Sequence, residues 1–474
     1  MRAAIEWSYD LLSAPERCLF ERLSVFVGGC ALAAAEAVAP DGELTASEVL
    51  DLVSSLAEKS LVVVDRSGGD SRYRLLESTR AFAQEKLAEH ELAGTLGRRH
   101  ALWIAGIADR ANSIAETTPV EEWVREFEPE MQNVRAAMEW AIQAGDTSVS
   151  ARIACGFTGI WRMSRGYAEP RRWLELLLAR IDAAVDPTTT ARILLALSSV
   201  TYGMHSVEAA ERALQLDPCD GDPSRRVKAM HQISAGFRQA GRVAEADAAN
   251  ERALTICRED GLARSRQYAA ALDSRAHIMA LRGRLDEARE CCSQALSLLT
   301  ELGDEHEANA IRMRMSMGEF EYRAERFERA LEFADAAVAA ARRIRSRGGR
   351  LSMALVNAAA YRLTLRDVEG ARENAREALA LAGSASPIEV AAAIQHLATV
   401  AALRGEVERG ARLQGYVDAW FNAEGCERDV TERRTADILT AALRESLSEG
   451  ELTELGAEGA RFSDEEAADE ALAV

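Results

Sequence analysis

Side chains that could carry catalysis are present, but none falls in an arrangement that would use it. His306-Glu307-Ala308-Asn309-Ala310 opens like the H-E-x-x-H zinc signature, in which two imidazoles one helical turn apart hold the metal and the glutamate activates water. Alanine stands where the second histidine is required. The seven histidines are scattered, and no G-x-S-x-G nucleophile elbow occurs. The three lysines, Lys59, Lys86 and Lys228, follow Glu58, Glu85 and Val227, so the G-x-x-x-x-G-K-[ST] loop that cradles nucleotide phosphates is missing from this sequence. Eight cysteines without a C-x-x-C pair read as small buried apolar residues in a reducing, cytoplasmic setting. No catalytic residue, metal ligand or cofactor is expected.

What remains is binding chemistry, which depends on the elements that display it. From about residue 95 the chain is rich in Ala, Leu, Glu and Arg at helical spacing. The phrase Gly241-x-Val243-x-x-Ala246-x3-Asn250-x-x-Ala253-Leu254 recurs from Gly283, Glu325 and Arg366 and degenerates at Gly405, with offsets of 42, 42, 41 and 39 residues. Alanines at these spacings share one helix stripe where a neighbouring helix must come close, and the Gly or charged residue marks the turn between two helices of a unit. The pattern resembles tetratricopeptide (TPR) repeats with each helix about one turn longer than usual. In such a superhelix the first helix of each pair lines the concave face. These helices project Lys228, His231 and Arg238, then Asp273 and His277, then Arg312, Glu319 and Tyr322, a mixed surface suited to a protein or peptide. Any one of them is equally readable as ordinary solvated surface. The densest basic run, Arg342 to Arg350, reads as a helix C-terminus followed by a Gly-containing turn, because no aromatics interleave with it.

The first 92 residues differ. Short helical patterns at Ile5–Leu12, Cys18–Leu23, Ala31–Ala39 and Ser47–Ser60 precede Leu61–Val64 and Ser71–Leu76, two β-type runs flanking a Gly-containing turn. Helices followed by a hairpin read as a winged helix. Its third helix can enter a DNA groove in proteins that use it so, but these residues hold nine Lys/Arg against sixteen Asp/Glu, and Ser47–Ser60 carries Glu48, Asp51 and Glu58 against Lys59 alone. Across all 474 residues the formal charge is −19, which disfavours a broad nucleic-acid or anionic-membrane surface. No direct nucleic-acid contact and no membrane span are expected. The expected fold is all-α, a winged-helix domain (1–92), a helical, TPR-like linker (93–190), a TPR-like α-solenoid (191–445) and a C-terminal helix with an acidic tail (446–474).

Several phrases go beyond generic repeats: Ile5-Glu6-Trp7-Ser8-Tyr9-Asp10-Leu11-Leu12, Phe20-x-x-Leu23-Ser24-Val25-Phe26-Val27-Gly28-Gly29, Tyr73-Arg74-Leu75-Leu76-Glu77-Ser78-Thr79-Arg80, Gln132-Asn133-Val134-Arg135 and Gly410-Ala411-Arg412-Leu413-Gln414-Gly415. With them the chain resembles bacterial regulators of the STAND class, the signal-transduction ATPases with numerous domains, specifically transcriptional regulators of the SARP and LuxR types. The resemblance implies a sensing and autoinhibitory arm that biases docking of the winged helix on an ATPase domain. The ATPase domain that precedes Trp7-Ser8-Tyr9-Asp10 in that class is not in this sequence, which implies an ATPase supplied in trans or lost, and a truncated gene or a start assigned too late at Met1. In relatives a Met-His-Asp phrase at the strand-to-helix corner senses nucleotide. Here Leu76 cannot donate a hydrogen bond, which leaves Glu77 or Arg80 for docking; Glu77 alternatively caps the helix from Ser78. Free-standing TPR adaptor and DNA-binding winged-helix regulator are the alternative functions.

Overall fold

In the computed structural model the described residues are 2–41, 43–66, 71–90, 92–115, 117–118, 120–164, 166–181, 185–219, 221–303, 308–343, 349–381, 387–424 and 427–474. They form two compact units, Met1–Thr118, Glu122–Ile160 and Pro170–Leu197 in one, and Pro119–Glu121, Trp161–Glu169 and Ser198–Val474 in the other. His306, Glu307 and the centre of the arginine run, residues 344–348, lie outside the described residues, as does the centre of the hairpin turn, 67–70.

The first unit begins with α1 (Arg2–Asp10), α2 (Ala14–Leu23), β1 (Cys30–Ala31), α3 (Leu32–Val38), α4 (Ala46–Glu58), β2 (Val63–Asp65), β3 (Arg72–Arg74) and α5 (Glu77–Ala88). This is a winged helix. Its strands pair antiparallel in the order β1-β3-β2, with Cys30 opposite Tyr73 and Val64 opposite Tyr73 on the other side. The sequence pattern showed only the hairpin, because two residues are too few to alternate. Ser13 and Glu16 form a capping box at α2, as Thr45 and Glu48 do at α4. Leu19, Phe20, Val49, Val53 and Leu56 fill the core.

Further helices complete this unit: α6 (Ala93–Ile114), α8 (Met131–Gln143) and most of α7 (Val120–Phe127), α9 (Thr147–Ser164), α10 (Ala168–Leu178) and α11 (Pro187–Ser198). Asn133 on α8, fully buried, ties them to the winged helix. Its Oδ1 accepts from the Val27 and Gly28 amides (3.0 and 3.4 Å), and its Nδ2 donates to the Gly29 carbonyl (2.9 Å) and to Glu130 (2.8 Å). Arg72 adds bonds to Glu130 (2.6 Å) and to the same Gly29 carbonyl (3.0 Å). Gly29 has φ +73°, and a Cβ there would stand 2.7 Å from the Tyr73 carbonyl. The phrases Val27-Gly28-Gly29 and Gln132-Asn133 are therefore two halves of one contact.

The second unit is a solenoid of antiparallel helix pairs. After α12 (Gly203–Leu216) come α13 (Pro223–Gln239) with α14 (Val243–Glu259), α15 (Arg266–Leu281) with α16 (Leu285–Glu301), α17 (Ala308–Arg323) with α18 (Phe327–Arg343), α19 (Gly349–Thr364) with α20 (Val368–Ala380), and α21 (Pro387–Leu403) with α22 (Val407–Glu424). Each repeated phrase opens the second helix of a pair. Its first residue has left-handed backbone at all five positions: Gly241 (φ 73°), Gly283 (75°), Glu325 (59°), Arg366 (63°) and Gly405 (91°). The stripe that follows is buried: Ala246 and Ala253, Ala288 and Ala295, Ala330 and Ala337, Ala371 and Ala378. Where the phrase has Asn250 or Cys292 between its alanines, the side chain donates to a carbonyl on the next pair, Ala271 (3.0 Å) or Met313 (3.4 Å).

The chain ends with α23 (Val430–Arg444), α24 (Glu449–Gly459) and α25 (Asp464–Leu472). The segment expected as an acidic tail is instead a packed helix: Ala467 and Ala471 are buried and Glu470 bonds Arg412 (2.6 Å). Asp464, Glu465, Glu466 and Asp469 are exposed while Ala467 and Ala471, one turn apart, face the core, a short helical stripe that charge alone conceals. The α22–α24 crossing is close because both sides are glycine; a Cβ on Gly415 would meet the Gly456 carbonyl at 2.1 Å.

Two stability tests follow from these contacts. Asn133→Ala strips partners from buried amides and from the Gly29 carbonyl, and is expected to destabilise the first unit by about 2–4 kcal/mol in urea unfolding. His396 on α21 is fully buried, and neither ring nitrogen has a partner among the described residues. Burial pushes its pKa from 6.5 down to about 3. Its folded form is therefore favoured above pH 6.5 and loses that contribution as pH falls from 6.5 toward 3, where the unfolded chain takes up the proton. His396→Leu should flatten the fall in urea midpoint between pH 7 and pH 5; an unchanged slope would refute this.

Candidate functional site

The first helices of successive pairs neighbour one another (α13 with α15, α15 with α17, α17 with α19), so they form one continuous inner face. Because the repeat is nearly constant, residues at equal distance before each turn line up across it. Ten residues before the turn stand His231, Asp273 and Gln395; six before, His277 and Glu319; three before, Arg238 and Tyr322.

Four of the expected groove residues are joined in a single polar chain. Asp273, almost fully buried, pairs with Arg312 and accepts from the Ser316 hydroxyl (3.2 Å). Ser316 also bonds His277 Nε2 (3.0 Å), and His277 Nδ1 lies 3.9 Å from Glu319. Glu319 accepts from Arg323 (2.8 Å), which reaches on to Asp429 (2.6 Å), the residue that caps α23. Burial alone would raise the Asp273 pKa, but the positive field of Arg312, followed by that of His277, holds it below the ordinary value. His277 is pushed down chiefly by burial. Sequence reasoning missed Ser316, Arg323 and Asp429. Ser316 was findable, since it repeats Ser274 one period on.

Tyr322 is a correction. Its side chain is not displayed in the groove but is fully buried, stacked on Tyr361 (4.7 Å between centroids) with its hydroxyl 2.7 Å from Thr364. The cause is α23, which lies on the inner face against α17, α19 and α21. Arg434 of α23 sits over the Tyr322 and Phe327 rings (5.4 and 4.8 Å) and bonds Glu325 (3.0 Å). Gln395 donates to the Glu432 carbonyl (2.7 Å) and to Thr435 (2.8 Å) and accepts from Arg428 (2.7 Å). Glu432 itself, desolvated and beside Asp429, has its pKa pushed up to about 7. Sequence pattern could not reveal that this helix folds back.

Toward α13 the inner face is different. Lys228 is exposed. His231 is held neutral, its pKa down at about 4, by burial and then by the charge of Arg312. His231 Nδ1 and Arg238 Nε are buried atoms without a hydrogen-bond partner among the described residues. Glu77 and Arg80, the expected docking residues of the winged helix, pair with each other across the first turn of α5 (2.8 Å), and that helix starts at Glu77, one residue earlier than expected. Among the described residues no group of three His, Cys, Asp or Glu side chains is placed to hold a metal, and no helix is long and apolar enough to cross a membrane.

Residues 12–88 match the model of the family described as winged helix-turn-helix domain. Over 241 residues the chain is 35% identical to a protein of Mycobacterium tuberculosis named "Putative HTH-type transcriptional regulator", covering 48% of this chain and 27% of that one. Over 88 residues it is 46% identical to an uncharacterized protein of the same organism, 18% of this chain and 22% of that one. The chain thus spans about a quarter of the length of the curated relatives it matches. A solved STAND protein with a tetratricopeptide repeat sensor, from Pyrococcus horikoshii, aligns with a TM-score of 0.44 and 16% identity over 95% of this chain and 66% of that one. The quorum sensor NprR from B. thuringiensis aligns with a TM-score of 0.46 and 12% identity, over 78% and 96%.

The Asp273–Arg312 pair is testable by itself. Arg312→Leu leaves a buried carboxylate without its counter-charge and should cost about 3 kcal/mol, whereas adding Asp273→Asn should restore most of the loss. Equal stability of the single and double variants in urea would refute the coupling.

Proposed function

We propose that this chain is a non-catalytic regulatory module whose superhelix receives a segment of a protein partner on its inner face. The observation that carries the reading is α23: the chain itself lays a helix along that face and holds it by polar contacts and cation–π packing, so the face has the chemistry to hold a polypeptide. The names of the mycobacterial relatives support a role in transcriptional regulation. We place the chain there as the sensing arm of a STAND-type regulator, with the ATPase domain acting in cis or in trans.

Direct DNA binding has the winged-helix match in its favour and the charge against it. The exposed residues of α4 are Ala46, Ser47, Glu48, Leu50, Asp51, Ser54 and Glu58, and Lys59 at its end is paired with Glu16. A face of this kind repels phosphate.

Ala235, six residues before its turn and thus aligned with His277 and Glu319, offers a way to close the inner face without touching the charged chain. In cross-linked affinity capture from the native cell, Ala235→Trp should lose the partners retained by the wild type while keeping its thermal midpoint. Identical partners from both chains would end the reading. Recovery of a nucleotide-binding protein of the STAND class separates the sensing arm from a free-standing adaptor, and sequence-selective, salt-resistant DNA retention would favour the DNA-binding alternative.

A further inference from the structure

The two ends of the inner face use the same register rows for different purposes. Toward the α21 end the rows are occupied: Gln395 holds the backbone of α23 and Tyr322 lies under Arg434, while Arg323, beside Tyr322, bonds the Asp429 carboxylate at 2.6 Å. At the α13 end the same rows present His231 and Asp273, ten residues before their turns, and Arg238, three before. There the polar groups lack an occupant. Arg238 Nε and His231 Nδ1 are removed from water and have no hydrogen-bond partner among the described residues, and Arg162 Nε, in the segment Trp161–Glu169 of the same unit, shares that condition. A buried donor without an acceptor costs about 1–3 kcal/mol, which a ligand that supplies the acceptor recovers.

Charge selects the acceptor. Asp273, the carboxylate whose field reaches His231, is already paired with Arg312 and bonded to Ser316. His231 is neutral and adds no charge. Arg238 and Arg162 are left as positive groups without an ion pair among the described residues, in a stretch of face whose far end already shows an arginine holding a carboxylate. A guanidinium and a carboxylate match in geometry as well as sign.

We propose that the α13–α15 stretch of the inner face binds an acidic segment of a partner protein, with Arg238 pairing a glutamate or aspartate side chain and His231 completing the hydrogen bonds. This rests on the inner face being the partner groove and names the chemistry that groove selects.

The test uses the full chain and a fluorescently labelled, C-amidated octapeptide alternating glutamate and alanine, read by anisotropy. Its counterparts carry glutamine or lysine in place of glutamate, and inorganic phosphate serves as competitor. The expected results are binding of the acidic peptide, a loss of about tenfold in affinity with Arg238→Gln, loss of binding with Ala235→Trp, and much weaker binding of the glutamine and lysine peptides. Among the described residues Arg238 makes no hydrogen bond or ion pair, so Arg238→Gln should keep its thermal midpoint. Undiminished binding by Arg238→Gln overturns the proposal. Equal binding of the glutamine peptide, still abolished by Ala235→Trp, also overturns it but leaves the groove intact. Displacement by phosphate with the same dependence on Arg238 would replace the acidic segment with a small anion. No binding of any peptide refutes the acidic-segment site, while partner capture by wild type against Ala235→Trp decides the groove separately.

Discussion

Close approach of helix backbones along a stripe of alanine is the constraint on which the superhelix depends. Alanine at each phrase position lets the second helix of a pair lie against its neighbours, and a larger side chain there would push them apart. The left-handed residue that starts each phrase sets where the chain reverses. At Glu325 and Arg366 an L side chain accepts that conformation at a cost of about 1 kcal/mol, so the repeat geometry prevails over local preference. A constant turn position in turn aligns residues about 42 apart in the chain, and that alignment makes a polar row out of scattered side chains.

That row has two parts with different physics. From Asp273 to Asp429 it is a hydrogen-bonded chain in which the carboxylates have an arginine beside them, Arg312 for Asp273 and Arg323 for Glu319 and Asp429, the condition under which burial of charge is tolerated. Around His231 and Arg238 that pairing stops. Among the described residues nothing partners the desolvated polar atoms there, an arrangement that natural chains rarely keep without use. Helix α23 covers the first part by self-packing and leaves the second to the partner segment proposed above.

The winged-helix unit is held by a different device. Asn133 reads three successive backbone positions across more than a hundred residues of sequence, and Arg72 reinforces the same carbonyl. Its recognition-type helix, α4, turns an acidic and apolar surface outward, without the basic face that phosphate contacts need.

By itself, the sequence determined the repeat, its period, the helix pairs and the winged helix, because each is a local pattern of small, apolar and turn residues that few other folds satisfy. It also placed Asp273, His277, Arg312 and Glu319 on one face, since helical spacing and a fixed period are enough to do so. It could not show that Asp429 completes their chain, that Tyr322 lies beneath α23, that the last acidic stretch is a packed helix, or that Asn133 clasps Gly29. Those contacts join residues far apart in the chain, and only the tertiary structure decides which amphipathic face a helix meets. Periodicity identifies the face of a helix, whereas its partner is chosen by shape and charge that exist only once the chain has folded.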